Sequence, residues 1–233
     1  MAPLFFFGAV HPAETLSRKE HFPGRRIKAR IAGARGPATP DVMRPVSRNP
    51  MSSTYADFLR GLWDDPKAVS APTPSGKPLA HAIAAEVKPA APGLVVELGA
   101  GTGIVTSALI ERGIAEENLV LFESGPTFHA LLSRRFPRAT ILCADAFRFD
   151  RYLPKHAKVA AVVSGIPLLN HPVAERARLI ERALDRQGTE ASFIQLSYGW
   201  WPPIPPGAGM RLSKRIILRN LPPAHIWIYR RPA

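Results

Sequence analysis

From Gly93 onward the chain alternates between short, continuous apolar runs and longer segments in which apolar residues recur every three or four positions. The runs predict strands at 94–98, 119–123, 139–142, 159–163 and 191–198, of the kind buried on both faces. The periodic segments predict helices at 104–112, 126–135 and 172–187. Such alternation implies a parallel sheet built from right-handed crossovers, with ligands at the carboxyl ends of its strands. Two further strands, about 214–219 and 225–229, are separated only by Asn220-Leu221-Pro222-Pro223-Ala224. That link is too short for a crossover, so the sheet is expected to close with an antiparallel hairpin.

Ahead of this α/β domain, taken as residues 91–233, the pattern changes twice. Residues 51–90 predict helices lying over the sheet's ligand edge. Ser52-Ser53-Thr54 offers N-caps, and Tyr55, Phe58, Leu59, Leu62 and Trp63 draw one apolar stripe. Pro66 ends that helix, and Ala71-Pro72-Thr73-Pro74-Ser75 leads to a second helix at about 78–87. Residues 1–50 show little periodicity and many interspersed Pro, Gly and Arg, which reads as a disordered basic extension, with Met43 and Met51 as alternative starts.

Composition adds a direction. The 233 residues are 46% hydrophobic and carry a net charge of +13. After Glu190 there is no acidic residue, whereas Arg211, Lys214, Arg215, Arg219, Arg230 and Arg231 are basic. Such a patch fits nucleic acid or an anionic membrane surface equally. No apolar run approaches the ~18 residues that cross a bilayer, so a cytoplasmic chain is expected. The single Cys143 permits no internal disulfide and is expected to be a small buried hydrophobe. The seven histidines lack metal-ligand spacing, and no metal is assigned.

The chemistry concentrates in Glu97-Leu98-Gly99-Ala100-Gly101-Thr102-Gly103, where a predicted strand runs into three glycines at alternate positions. Glycine removes each Cβ where backbone must approach a ligand, and the helix that follows aims its N–H groups at the same place. The spacing is not that of the dinucleotide fingerprint. It resembles motif I of the class I S-adenosylmethionine-dependent methyltransferases. That resemblance implies a Rossmann-like fold and S-adenosylmethionine held by Glu97, Gly99, Gly101 and Gly103. Glu123 closes the second strand, where a carboxylate holds ribose hydroxyls. Asp145, with Ala146, follows the third, where the family binds the adenine amino group.

Motif IV decides the acceptor. Amine-directed enzymes of this class commonly carry Asn/Asp-Pro-Pro-Tyr/Phe after the fourth strand. Here the segment is Ser164-Gly165-Ile166-Pro167-Leu168-Leu169-Asn170, with no aromatic to stack on a nucleobase. That segment, together with Gln195-Leu196-Ser197-Tyr198 and Arg219-Asn220-Leu221-Pro222-Pro223-Ala224-His225-Ile226-Trp227, resembles the bacterial phospholipid N-methyltransferases of the Rhodobacter and Rhizobium groups. The resemblance covers about residues 55–231 and implies methylation of phosphatidylethanolamine to phosphatidylcholine by a protein bound peripherally to the inner face of the membrane. Tyr198, Trp200 and Trp201 could face the cationic head group, and Arg211, Lys214 and Arg215 could hold its phosphate. Ser164 and Gly165 could orient the amine through their carbonyls, with His171 and Tyr198 as candidate bases. An rRNA adenine dimethyltransferase and a non-catalytic S-adenosylmethionine-binding surface protein are the alternatives.

Overall fold

A computed structural model describes residues 76–207, 209–220 and 223–232, with backbone alone at 187–191. The stripe of Tyr55 to Trp63 and the Pro74-Ser75 approach lie outside the described residues. The second predicted helix is present as α1 (Lys77–Ala85). The domain then runs β1 (Leu94–Leu98), α2 (Ile104–Glu111), β2 (Leu119–Phe122), α3 (Pro126–Arg135), β3 (Thr140–Leu142), β4 (Val159–Ser164), α4 (Val173–Asp185), β5 (Gln187–Ser197), β6 (Arg211–Ile217) and β7 (Ala224–Arg230). Short 3-10 segments at Glu116–Asn118, Ala146–Arg151 (kinked at Arg148) and Leu168–Asn170 fill the links.

The seven strands form one sheet in the order β3-β2-β1-β4-β5-β7-β6. The pairings from β3 through β5 are parallel; β7 is antiparallel to β5 and to β6. Strand order reverses between β1 and β4, which opens a crevice at their carboxyl ends. Because the side-chain period of a strand is two, β1 sends Val95 and Glu97 to one face and Leu94, Val96 and Leu98 to the other. The first face packs Leu79, Ile83, Val105, Leu109, Leu132, Ile194, Ile226 and Ile228 between sheet and α1–α3. The second packs Phe122, Phe149, Leu168, Leu179, Ile180, Leu184, Phe193, Trp227 and Tyr229 beneath α4 and the links.

The hairpin differs from expectation in register. β6 begins three residues early, because Arg211 and Ser213 at its start are polar and exposed, as suits an edge strand, while Leu212 between them packs inward. The hairpin turn is anchored to α1, where Gly76 N–H donates to Asn220 Oδ1 at 3.2 Å. Glu86, just past α1, receives Arg215 and Arg230. Cys143 is exposed, contrary to expectation, because the edge strand β3 ends at Leu142 and leaves it outside the sheet.

One buried hydroxyl fixes the segment after β5. Tyr229 Oη donates to Ile204 O at 2.8 Å and accepts from Ile204 N–H at 3.2 Å. Burial pushes this phenol up to about 12, so it remains a donor at any ordinary pH. Tyr229→Phe leaves both backbone groups of Ile204 unpaired and should lower stability by about 1–3 kcal/mol, measured by denaturant unfolding against the unmodified protein.

Candidate active site

The turn after β1 holds Gly99, Gly101 and Gly103 at φ 74°, 53° and 76°. Two of these glycines serve different ends. A Cβ at Gly103 would meet Phe136 at 2.6 Å and Leu132 at 2.8 Å, so this glycine lets α2 start against α3. A Cβ at Gly101 would meet nothing within 4 Å, and the backbone there borders open space that a ligand can fill. Gly101 N–H donates to Glu123 Oε2 at 2.8 Å, and Gly125 N–H to Glu123 Oε1 at 2.7 Å. These bonds hold the Glu123 carboxylate beside the turn, and each oxygen keeps a lone pair for a further donor. Asp145 stands exposed past β3, accepting from Phe147 N–H at 2.9 Å and facing Arg148 at 3.7 Å, with Ala146 opening the next turn.

Glu97 has a different setting from its two acidic neighbours. It is 3% exposed and accepts from Thr106 Oγ1 at 2.6 Å, tying β1 to α2 beneath the turn. Burial drives its pKa up to about 8; the Thr106 bond opposes this and the charge on Glu123 adds to it. Thr106 is a residue the sequence reading missed. Its signal was a hydroxyl one turn into the helix after the motif acid.

The link after β4 closes on the same crevice. Gly165 N–H donates to Leu98 O at 2.9 Å, and a Cβ on Gly165 would come within 3.0 Å of Gly99 O. Ser164 is fully buried, and its Oγ has no partner among the described residues. Gln195 Nε2 donates to Ile166 O at 2.8 Å, which ties the link to β5. Tyr198 follows β5 at the carboxyl edge; its ring packs on the α1 side and its hydroxyl is buried without a partner among the described residues. His171 stacks on Phe147 at 4.5 Å and lies 3.8 Å from Glu175.

Beyond β5 the aromatic residues gather around a cation. Lys214 Nζ sits 5.4 Å from the Trp200 ring centre and 4.7 Å from that of Trp227. Trp200 also packs on His225 at 4.9 Å. His225 is buried, and burial followed by the charge on Lys214 lowers its pKa, so its imidazole is neutral near pH 7. Trp201 is 79% exposed. Two expected phosphate contacts do not join this group. Arg215 is paired with Glu86. Arg211 opens β6 six residues from the carboxyl edge, roughly 20 Å at the usual strand rise. Its early place in the strand, rather than in a loop at the edge, removes it from the crevice.

No protein-family model matches the chain, and no curated protein matches it by sequence. Solved structures do. The CcbJ methyltransferase of Streptomyces caelestis is similar at 16% identity over 70% of this chain and 92% of that one, with a TM-score of 0.52. TrmN of Thermus thermophilus gives 16% identity over 67% and 50%, also with a TM-score of 0.52. The sugar N-methyltransferase KedS8 of Streptoalloteichus gives 19% over 77% and 66%, with a TM-score of 0.43. The chain thus spans less than two thirds of the length of some of these proteins. At these identities the two likenesses with a TM-score of 0.52 establish the fold alone, the mostly parallel seven-stranded Rossmann-like sheet found in class I methyltransferases.

Glu97 makes this architecture sensitive to pH. Its folded pKa stands above its unfolded one, so the folded chain holds the proton more tightly, and stability is lost as pH rises from about 4.5 toward about 8. Glu97→Gln keeps the acceptor for Thr106 without the titrating proton. The variant should gain on the unmodified protein in thermal stability at pH 8 and show little difference at pH 4.5, measured by melting across that window.

Proposed function

We propose that the chain transfers the methyl group of S-adenosylmethionine to the amine of phosphatidylethanolamine, toward phosphatidylcholine, at an anionic membrane surface. The observation that carries the cofactor half is the open space over Gly101 beside the fixed carboxylate of Glu123. Those residues fit the cofactor: backbone can approach without a Cβ, Glu123 accepts from ribose hydroxyls, and Asp145 accepts from the adenine amino group. When bound, S-adenosylmethionine supplies an electrophilic methyl on a sulfonium. Ser164, Gly165 and the link that follows present the acceptor amine across the crevice, so the chain contributes chiefly orientation and exclusion of water. Tyr198 stands at the same edge with its ring on the α1 side, where its hydroxyl lacks a partner among the described residues.

The lipid half is supported by where the chain exposes its large apolar residues. Leu169 and Val173 flank the start of α4, Trp200 and Trp201 follow β5, and Ile216 and Leu218 end β6. β6 runs parallel to β5, so all six lie at the carboxyl edge of the sheet, on the side of the crevice that runs from β4 to β6. Trp200, Trp201 and Leu218 are more than 70% exposed, and Arg219 is exposed beside Leu218. An apolar rim with basic residues and tryptophan suits a lipid headgroup layer better than bulk water. Among the described residues no helix is long and apolar enough to cross a membrane, so association would be peripheral.

The direct test offers vesicles containing phosphatidylethanolamine and rRNA fragments in parallel with radioactive cofactor. Label in lipid is expected; label in RNA alone would replace this reading with the adenine-directed one, and no label in either would favour a binding protein. Gly101→Ala puts a methyl into the open space at φ 53° and should weaken cofactor binding about tenfold or more by calorimetry, ~1.4 kcal/mol. Membrane binding should require anionic lipid and fall as salt rises. Changing Trp200 and Trp201 together to Ala should weaken vesicle co-sedimentation about tenfold without altering cofactor affinity.

A further inference from the structure

The register of the sheet lines up five residues of the α4 face in one row: Leu98 pairs with Ser164, Ser164 with Gln195, Gln195 with Trp227, and Trp227 with Lys214. Three consecutive members carry a buried polar atom that has no partner among the described residues. These are Ser164 Oγ, Gln195 Oε1 and Trp227 Nε1, on residues 0%, 1% and 6% exposed. Unpaired buried polar groups are rare and costly, and three in a row on adjacent strands call for an occupant. The chemistry of the row is ordered. It reads hydroxyl, amide acceptor, indole donor, and then the ammonium of Lys214.

The orientation of the Gln195 amide is fixed by its neighbours. Its Nε2 lies within 2.8 Å of Ile166 O and 2.6 Å of Leu196 O, and two carbonyl oxygens can be met only by the NH2 end. Oε1 is therefore the free end. We propose that this row is the head-group subsite: the acceptor amine donates to Gln195 Oε1 and Ser164 Oγ, and a phosphate oxygen accepts from Trp227 Nε1 near Lys214. The assignment rests on the phosphatidylethanolamine reading and deepens it. An ethanolamine phosphate carries its donor and its acceptor two carbons apart, a span comparable to the ~4.8 Å between neighbouring strands. The row holds no carboxylate, so nothing in it ties the amine down as ammonium. A neutral amide oxygen accepts from the uncharged amine that reacts, and it stops bonding once the last N–H is replaced. Trp200, packed on His225 and Lys214, roofs this end of the row, so entry of the head group displaces it.

The test uses the full chain with vesicles bearing phosphatidylethanolamine, its monomethyl or its dimethyl derivative. The neutral amines of these lipids carry two, one and no N–H. Gln195→Met should cut the rate about tenfold or more for the first two and leave the third nearly unchanged, at unaltered cofactor affinity. Trp227→Phe should raise KM for all three alike, with kcat little changed. Equal loss on all three lipids in Gln195→Met would mean that the side chain only pins Ile166, and overturns the assignment. Unchanged rates on all three overturn it as well. If the unmodified protein methylates none of the three lipids, the lipid reading itself falls and takes the subsite with it. That outcome is distinguishable because it needs no variant.

Discussion

The whole site depends on how closely the ends of two neighbouring strands can approach. β1 and β4 are adjacent where the strand order reverses, and the backbone leaving one meets the backbone leaving the other. Gly165 N–H closes on Leu98 O, and a Cβ on Gly165 would come within 3.0 Å of Gly99 O. Two glycines facing each other let both chains turn outward together, one into the ligand turn and one into the acceptor link. A crevice at the switch point follows from topology alone. So close an approach of the two backbones requires that this contact carry no side chains.

Around that contact the chain separates two kinds of carboxylate. Glu123 is fixed by two backbone N–H groups at the rim of the turn. Glu97, two residues before Gly99, is buried against Thr106 and is driven toward its neutral form by desolvation. A charged Glu97 there would repel Glu123 as well as suffer burial. Keeping it protonated turns it into a short internal strut between β1 and α2.

What could be read in the sequence was whatever depends on local pattern. The strands β1 to β4 and the helices between them announced themselves as apolar runs and periodic stripes, and the glycine turn with Glu123 and Asp145 marked the ligand edge. The edge strand β6 did not, since Arg211, Lys214 and Arg215 interrupt its apolar run; the shifted start is what carried Arg211 away from the crevice. Cys143 misled for a related reason, because an apolar-looking residue beside a three-residue edge strand has no sheet left to be buried in. Thr106 was invisible, and Gln195 was read only as part of a segment carrying the family resemblance, with no role of its own, because each acquires its role only through a second strand or helix. Gln195 lies on the inward parity of β5, two residues after the buried Phe193, and a polar residue in that position is the signal that could have raised it.

The same register argument bears on why the hairpin is there. A five-stranded parallel sheet would end at β5 and leave Gln195 on an open edge, hydrated and free to rotate. β7 covers that edge with Ile226, Trp227 and Ile228, and β6 covers β7 in turn, with its charged side chains turned to water. Covering the edge dries the row that contains Gln195, and dryness is what would give a single amide oxygen leverage over the proposed amine: in low dielectric a hydrogen bond to the right donor strengthens, and a missing one is felt in full. The antiparallel strands thus do more than terminate the sheet. They convert a strand that would otherwise be solvated into the inner wall of a site, and they bring Trp227 and Lys214, from the far end of the sequence, into line with Ser164.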